Sequence, residues 1–188
     1  IERVDAELGY AVVEPGVTQG QLARHLVESG APFWVDCTGA GPHTSLIGNI
    51  VERGFGHSPY GNRLQSVSGM EVVLGTGEVL QTGFGHYPDA KTTHVYPYGI
   101  GPFLDGIFTQ SNFGIVTKLG LWLVPIPESF CPYIVLFEED RDLLEALEPL
   151  RARGVGRVVE KEFHSENEPR SLAYDATFPG ERLREHLR

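Results

Sequence analysis

Cysteine is scarce in this 188-residue chain: only Cys37 and Cys131 occur, without the C-x-x-C spacing of a zinc or redox site or the density of a disulfide scaffold. That usage fits reduced thiols and leads us to expect a cytoplasmic protein. Long apolar runs are also missing. No stretch approaches the roughly 20 residues that span a bilayer, and the opening IERVDAELGY lacks a basic region followed by an apolar one, so neither membrane nor export is expected. Positive charge is in deficit, with 15 Lys and Arg against 25 Asp and Glu and a formal net charge of -10. With no basic run to neutralise a phosphate backbone, nucleic acid is not an expected partner. Seven histidines occur, none in an H-x-H or H-E-x-x-H arrangement, so a metal hydrolase has no ligand set. There is no G-x-S-x-G elbow, and Gly39-Ala40-Gly41 is too short for a Rossmann nucleotide fingerprint.

What is present is a globular composition, 41% hydrophobic and 10% aromatic, enough to bury a core in one or two domains. The first residue is Ile rather than Met, read here as the sign of a fragment. A strand is expected over residues 10–13, then a turn at Glu14-Pro15-Gly16. A helix follows, N-capped by Thr18, with Gln21 completing a capping box and Gly30 as a left-handed C-cap. Leu22 and Leu26, four apart, share its packing face. Phe33-Trp34-Val35 reads as a brief buried strand, and a short helix is expected over 46–53. Residues 67–74 and 78–82 around Gly75-Thr76-Gly77 predict a β-hairpin. Residues 83–101 read as a long irregular excursion, of the kind that is often functional or mobile. An amphipathic helix is expected from Pro102 to near Asn112, and a strand over 115–124. Pro125-Ile126-Pro127 is the candidate domain boundary. Beyond it a strand over 133–137 and a helix over 140–153 begin a second unit, and residues 164–188 read as partly disordered.

Several segments form an ordered set. They are Thr44-Ser45-Leu46-Ile47-Gly48-Asn49, Val51-Glu52-Arg53-Gly54, Ser58-Pro59-Tyr60-Gly61, Gly69-Met70-Glu71-Val72-Val73-Leu74, Gly101-Pro102-Phe103-Leu104-Asp105-Gly106 and Thr109 to Thr117. In identity, order and spacing the set resembles the flavin-binding domain of the vanillyl-alcohol oxidase and p-cresol methylhydroxylase family. The resemblance runs from about Gly9 to Pro127. It implies an α+β fold: residues 1–127 as the second subdomain of a p-cresol methylhydroxylase-type FAD-binding domain, a mixed or antiparallel sheet with flanking helices. Residues 128–188 would be the start of an α+β substrate-covering cap domain. The first subdomain, with its Gly-rich pyrophosphate loop, and the rest of the cap are expected in sequence outside this chain, so these 188 residues alone are expected to be inactive.

FAD needs close backbone approach and many N–H donors, which small residues supply. The loop over 39–49 offers Gly39, Gly41 and Gly48 for approach, hydroxyls at Thr44 and Ser45, and a following helix whose free N–H groups would face an anion; Gly41, Pro42, Thr44, Ser45, Gly48 and Asn49 are the cofactor-binding candidates here. An ordinary strand-to-helix connection capped by Thr44 or Ser45 gives the same sequence. Glu52, Gly54 and His57 fall where family members touch the nucleotide or hold its loop, although a lone loop histidine is equally a solvated one. Gly114, Ile115 and Val116 resemble a segment whose backbone meets the cofactor, and a plain helix-to-strand corner would read the same. Tyr60 and Tyr98 are candidates for reaching an aromatic substrate, against the commoner buried tyrosine.

One departure stands out. Several oxidases of the family carry an Asp before the Ser-x-x-Gly-Asn stretch, near the flavin N5, where this chain reads Thr38-Gly39-Ala40-Gly41-Pro42-His43 and the nearest carboxylate is Asp36. His43 is then the candidate acid or base, and no metal is expected. The resemblance implies oxidation of a 4-alkylphenol or similar phenolic by hydride transfer to flavin, with oxygen or a cytochrome as electron acceptor. Two alternatives stay open: a non-catalytic half-domain serving as a scaffold, for which a homodimer is expected, and a subunit completed by a separate polypeptide.

Overall fold

The computed structural model describes residues 1–130, 135–137 and 139–155. Its centre is a five-stranded antiparallel sheet in the order β1 (Arg3–Asp5), β2 (Tyr10–Val13), β6 (Gly114–Trp122), β4 (Val67–Leu74), β5 (Val79–Gln81). The last long strand in sequence, β6, sits in the middle. It takes β2 on one side, with Val13 opposite Leu119, and β4 on the other, with Val67 opposite Leu121. A two-residue ribbon pairs β3 (Phe33–Trp34) with β7 (Val124–Pro125) outside this sheet. The expected α+β class with an antiparallel sheet is the one observed.

Helix α1 (Gln19–Ser29) begins as expected. The Thr18 hydroxyl accepts from the Gln21 N–H, the Gln21 side chain accepts from the Thr18 N–H, and Gly30 closes the helix in the left-handed region. Its buried Leu22 and Leu26 join Leu46, Ile47 and Ile50 of α2 (Leu46–Val51) and Val13, Val67, Met70, Val72, Leu119 and Leu121 of the sheet in one apolar cluster. All four β2 residues are buried, so both faces of that strand are covered. On the second face His94, from the long excursion over 83–101, packs on the Tyr10 ring and reaches the Ser68 carbonyl with Nδ1 at 2.9 Å. Gly69, at φ 73°, and Gly120 make room for it, because a Cβ at either would collide with the Thr93 or His94 segment. Pinned at that point, the excursion serves as a cover for the sheet.

Four expectations need correction. Phe33-Trp34-Val35 is only partly buried: Val35 belongs to the core and Phe33 packs half-buried against it, but Trp34 is exposed, since the ribbon runs along the surface. The helix expected from Pro102 is a single 3-10 turn, Asp105–Phe108. Asp105 and Phe108 are both buried, and the three-residue turn places residues i and i+3 on one face. Thr109, in an extended conformation, ends the turn, and Gln110 then takes a positive φ of 47° before Asn112 is reached. The strand expected to reach residue 124 stops at Trp122, where the Leu123 N–H turns to the Gly9 carbonyl and the chain leaves for the ribbon. Beyond the Pro-x-Pro segment, α3 (Asp140–Val155) extends slightly past its expected end. In the strand expected over 133–137, the described residues 135–137 are irregular, and its remainder, like the tail over 164–188, lies outside the described residues.

Candidate functional site

The loop before α2 is built from its contacts with the start of α1. The buried Gln19 side chain accepts from the Thr38 N–H at 3.1 Å and donates through Nε2 to the Thr38 and Gly41 carbonyls. The N–H groups of Gln19 and Gly20 donate to the Thr44 and Pro42 carbonyls at 2.9 Å each. Gly20 lies so close to Pro42 that a Cβ would clash with its carbonyl. Fixed at both ends, the loop directs its middle outward. Among the described residues the backbone N–H groups of Gly39, Ala40, Gly41 and His43 have no hydrogen-bond partner, and the same holds for the Thr44 hydroxyl. Gly41 holds φ 94°, a conformation that favours glycine.

The helix that follows contributes less than its sequence suggests. The Leu46 N–H is taken by the Val17 carbonyl and the Gly48 N–H by Ser45 Oγ, while the Ser45 hydroxyl donates to the Pro15 carbonyl at 2.9 Å. Two of the anion-facing donors expected at its N-terminus are therefore spent inside the protein, while the Ile47 N–H, like those of the preceding loop, has no partner among the described residues.

A second loop, residues 54–62, is held against the first by a buried ion pair. Arg63, 3% exposed, lies with Nε 3.2 Å from Asp36 Oδ2, donates to the Asp36 carbonyl at 2.9 Å, and donates to Asn49 Oδ1 at 2.6 Å. Asp36 Oδ1 accepts from the Ser58 N–H, and the Cys37 carbonyl accepts from the His57 N–H. Burial pulls the Arg63 pKa down, against the attraction of Asp36, and burial together with the Asp36 charge pushes the Cys37 thiol up. Asp36, the nearest carboxylate to the loop in sequence, is thus tied to Arg63 and does not stand in for the missing Asp. Gly54 and Gly56 have structural reasons to be glycine: a Cβ would occupy the space of the Asn49 amide in one case and of the Asp36 carboxylate in the other.

The predicted site residues therefore divide. Gly41, Pro42, His43 and Thr44 share the outward loop, and His57 approaches it, its Nε2 about van der Waals distance from where a Gly39 Cβ would stand. Ser45, Gly48, Asn49 and Gly54 are engaged inward. Glu52 is exposed, and its carbonyl accepts from Gln110 Nε2 while the Gln110 N–H donates to Val51, which ties α2 to the segment leading into β6. Gly114, Ile115 and Val116 open β6. Gly114 is small because Val72 fills the space a Cβ would take, Val116 is buried, and Ile115 is 70% exposed. Tyr60 stacks edge-on with Trp122 at 6.3 Å in a cleft of about 290 Å³ that also meets Glu7, Leu8 and Phe33. None of the cofactor candidates lines that cleft. Tyr98 lies exposed in a string of ring contacts with Tyr96 and Phe103. The anchoring roles of Gln19, Asp36 and Arg63 are not legible in the sequence: a polar residue inside a capping box and two charges 27 positions apart carry no local signal of their pairing.

Backbone donors presented by a Gly-rich loop next to a hydroxyl suit the oxygens and ring nitrogens of a flavin nucleotide, and comparison with known proteins agrees. Residues 1–83 match the family described as FAD binding domain. By fold and sequence this chain is part of a p-cresol methylhydroxylase-type FAD-binding domain, whose cofactor is FAD. It is 42% identical over 159 residues to the 4-cresol dehydrogenase [hydroxylating] flavoprotein subunit of Pseudomonas putida, covering 85% of this chain and 30% of that protein. Identity to the 1'-carboxy-chondrochloren decarboxylase of Chondromyces crocatus is 40% over 155 residues, 81% of this chain and 29% of that one. A crystal structure of p-cresol methylhydroxylase with substrate bound superposes with a TM-score of 0.82 at 40% identity, covering 86% of this chain and 31% of that chain. The chain spans about a third of the length of these relatives.

Proposed function

We propose that the protein containing this chain is an FAD-dependent oxidoreductase that oxidises a 4-alkylphenol or a related phenolic or alcohol. The observation that carries this reading is the outward loop over 39–43, whose free N–H groups are locked in place by Gln19. FAD, when bound, supplies the hydride acceptor. The chain's own part is to hold it: Gly41, Pro42 and Thr44 by direct contact, Asn49, Gly48 and Ser45 by shaping the turn beneath, and Glu52, Gly54, His57 and Gly114 to Val116 along the edges. His43, exposed on the same loop, is the candidate proton-handling group. Residues 1–127 act as the second FAD subdomain and 128–188 as the beginning of the cap. Oxygen or a cytochrome takes the electrons, the cytoplasm is the setting, and a homodimer is the proposed assembly.

The substrate class is supported by the cresol-oxidising relative. A second reading, action on a carboxylated substrate with loss of the carboxyl group, is favoured by the nearly equal identity to a decarboxylase. Two relatives so similar in this segment yet different in named reaction indicate that the segment sets the cofactor while residues elsewhere choose the chemistry. The test is anaerobic addition of 4-cresol to the purified full-length protein. A yellow protein whose flavin absorbance bleaches supports the reading; a colourless protein that takes up no added FAD overturns it in favour of a scaffold. Unchanged reductive kinetics in His43→Ala would remove His43 from the scheme.

A further inference from the structure

Arg63 stands among the cofactor candidates without being one of them. It is a buried cation whose bonds reach three separate segments: the strand exit at Asp36, helix α2 at Asn49, and, through the Asp36 carboxylate, the loop at Ser58. A guanidinium has donors only. The Asn49 atom that meets it must therefore be Oδ1, which turns Nδ2, at the other edge of the amide, toward Gly54. An asparagine amide is otherwise free to flip, since both ends are similar in size and each finds partners in water. Arg63 opposes that flip, because a flipped amide would set Nδ2 against guanidinium donors; around it the Asn49 side chain fills the space above Gly54, and the Asp36 carboxylate fills the space above Gly56.

We propose that Arg63 is the positioning residue of the flavin site, fixing the Asn49 amide in one orientation over Gly54 and clamping the loops over 36–41 and 54–62 on either side of it. Arg63 acts through Asn49 and Asp36 and touches no ligand itself. The part of this inference that concerns FAD rests on the flavin reading above; the clamping of the loops does not.

The variants are Arg63→Lys, Asn49→Ala and the two combined, made in the full-length protein. Lysine keeps a positive charge beside Asp36 but cannot reach Asn49 Oδ1 and the Asp36 carbonyl at once. Apoprotein titrated with FAD is expected to bind about tenfold more weakly in each single variant and no more weakly in the double variant, because the two residues form one unit. Additive losses, or undiminished affinity in Arg63→Lys, overturn the role assigned through Asn49. Amide hydrogen exchange gives a readout independent of flavin. Arg63→Lys is expected to speed exchange over 36–41 and 54–62 while leaving 67–74 and 114–122 unchanged. Uniform acceleration, or none, overturns the clamp. A wild-type protein that takes up no FAD removes the flavin reading, and the exchange pattern still decides whether Arg63 clamps the loops.

Discussion

The central sheet and the loops beside it occupy the same small structure but are held by different forces. Strands β2, β4 and β6 meet the helices through an unbroken apolar cluster in which Leu22, Leu46, Met70 and Leu119 are fully buried. Apolar packing tolerates exchange of one hydrocarbon for another of similar volume and carries no directional information. The loops over 36–62 are anchored by a buried ion pair, a buried glutamine amide and glycines that leave space for the polar groups of their neighbours. Such networks depend on every partner, since a buried polar group stripped of its mate keeps the full cost of its lost hydration. The difference teaches where precision is needed: the sheet supplies stability, and the polar network places the donors.

The comparison breaks most sharply at Arg63. Replacing it by methionine leaves Asp36 charged and buried without a counterion, and denaturant unfolding is expected to show a loss of about 3–5 kcal/mol. Leu119→Ala, in the middle of β6, is expected to lose about 2–5 kcal/mol by leaving a cavity. The two variants then part company: at temperatures where both remain folded, Leu119→Ala should retain FAD affinity and Arg63→Met should not. Equal flavin loss in both would erase the distinction between the regions.

Asp105 tests the boundary between them, because it is a carboxyl group inside the apolar part. Burial pushes its pKa up to about 6 from the ordinary 3.8, opposed by a hydrogen bond from Thr82, and its Oδ2 has no hydrogen-bond partner among the described residues. A raised folded-state pKa means that stability is greatest below pH 4, where folded and unfolded forms are both protonated. It is lost as pH rises through 6. Asp105→Asn should therefore raise stability at pH 8 by up to about 3 kcal/mol, following 1.36 kcal/mol per pKa unit, and change little at pH 3.5. Thermal melts across that range decide it, and a pH-independent effect would sever the link to the carboxyl. The smallest effect belongs to the cap: Thr18→Ala removes the hydroxyl that accepts from the Gln21 N–H and should cost about 1 kcal/mol in a chemical melt, with the loop over 38–44 still held by Gln19.

Legibility in the sequence followed the range of the interactions. The capping box at Thr18 and Gln21, the left-handed Gly30 and the hairpin of β4 and β5 are local, and each appears where its residues announce it. The 3-10 turn at Asp105 reads in the sequence as a longer helix because the burial of Asp105 and Phe108 is decided by what lies beneath them, and apolar spacing alone cannot separate one turn from three. The ordered segments from Thr44 to Thr117 pointed to the flavin family, yet the same residues did not reveal which of them face outward. Of the two roles the sequence leaves open for Ser45, ligand hydroxyl or cap, the structure shows the cap of α2, and Gly54 is small for the sake of Asn49.

By itself the sequence determined the α+β class, the cap of α1, the hairpin and the cofactor family, because these depend on local chemistry or on long ordered similarity. Only the tertiary structure decided that β6 is the central strand, that most open donors of the site lie in the loop over 39–43, and that Arg63, Asp36 and Gln19 hold them there. The reason is that these pairings join residues about 20 to 110 positions apart, and the free energy that selects them, burial with satisfied polar partners, exists only once the chain has folded.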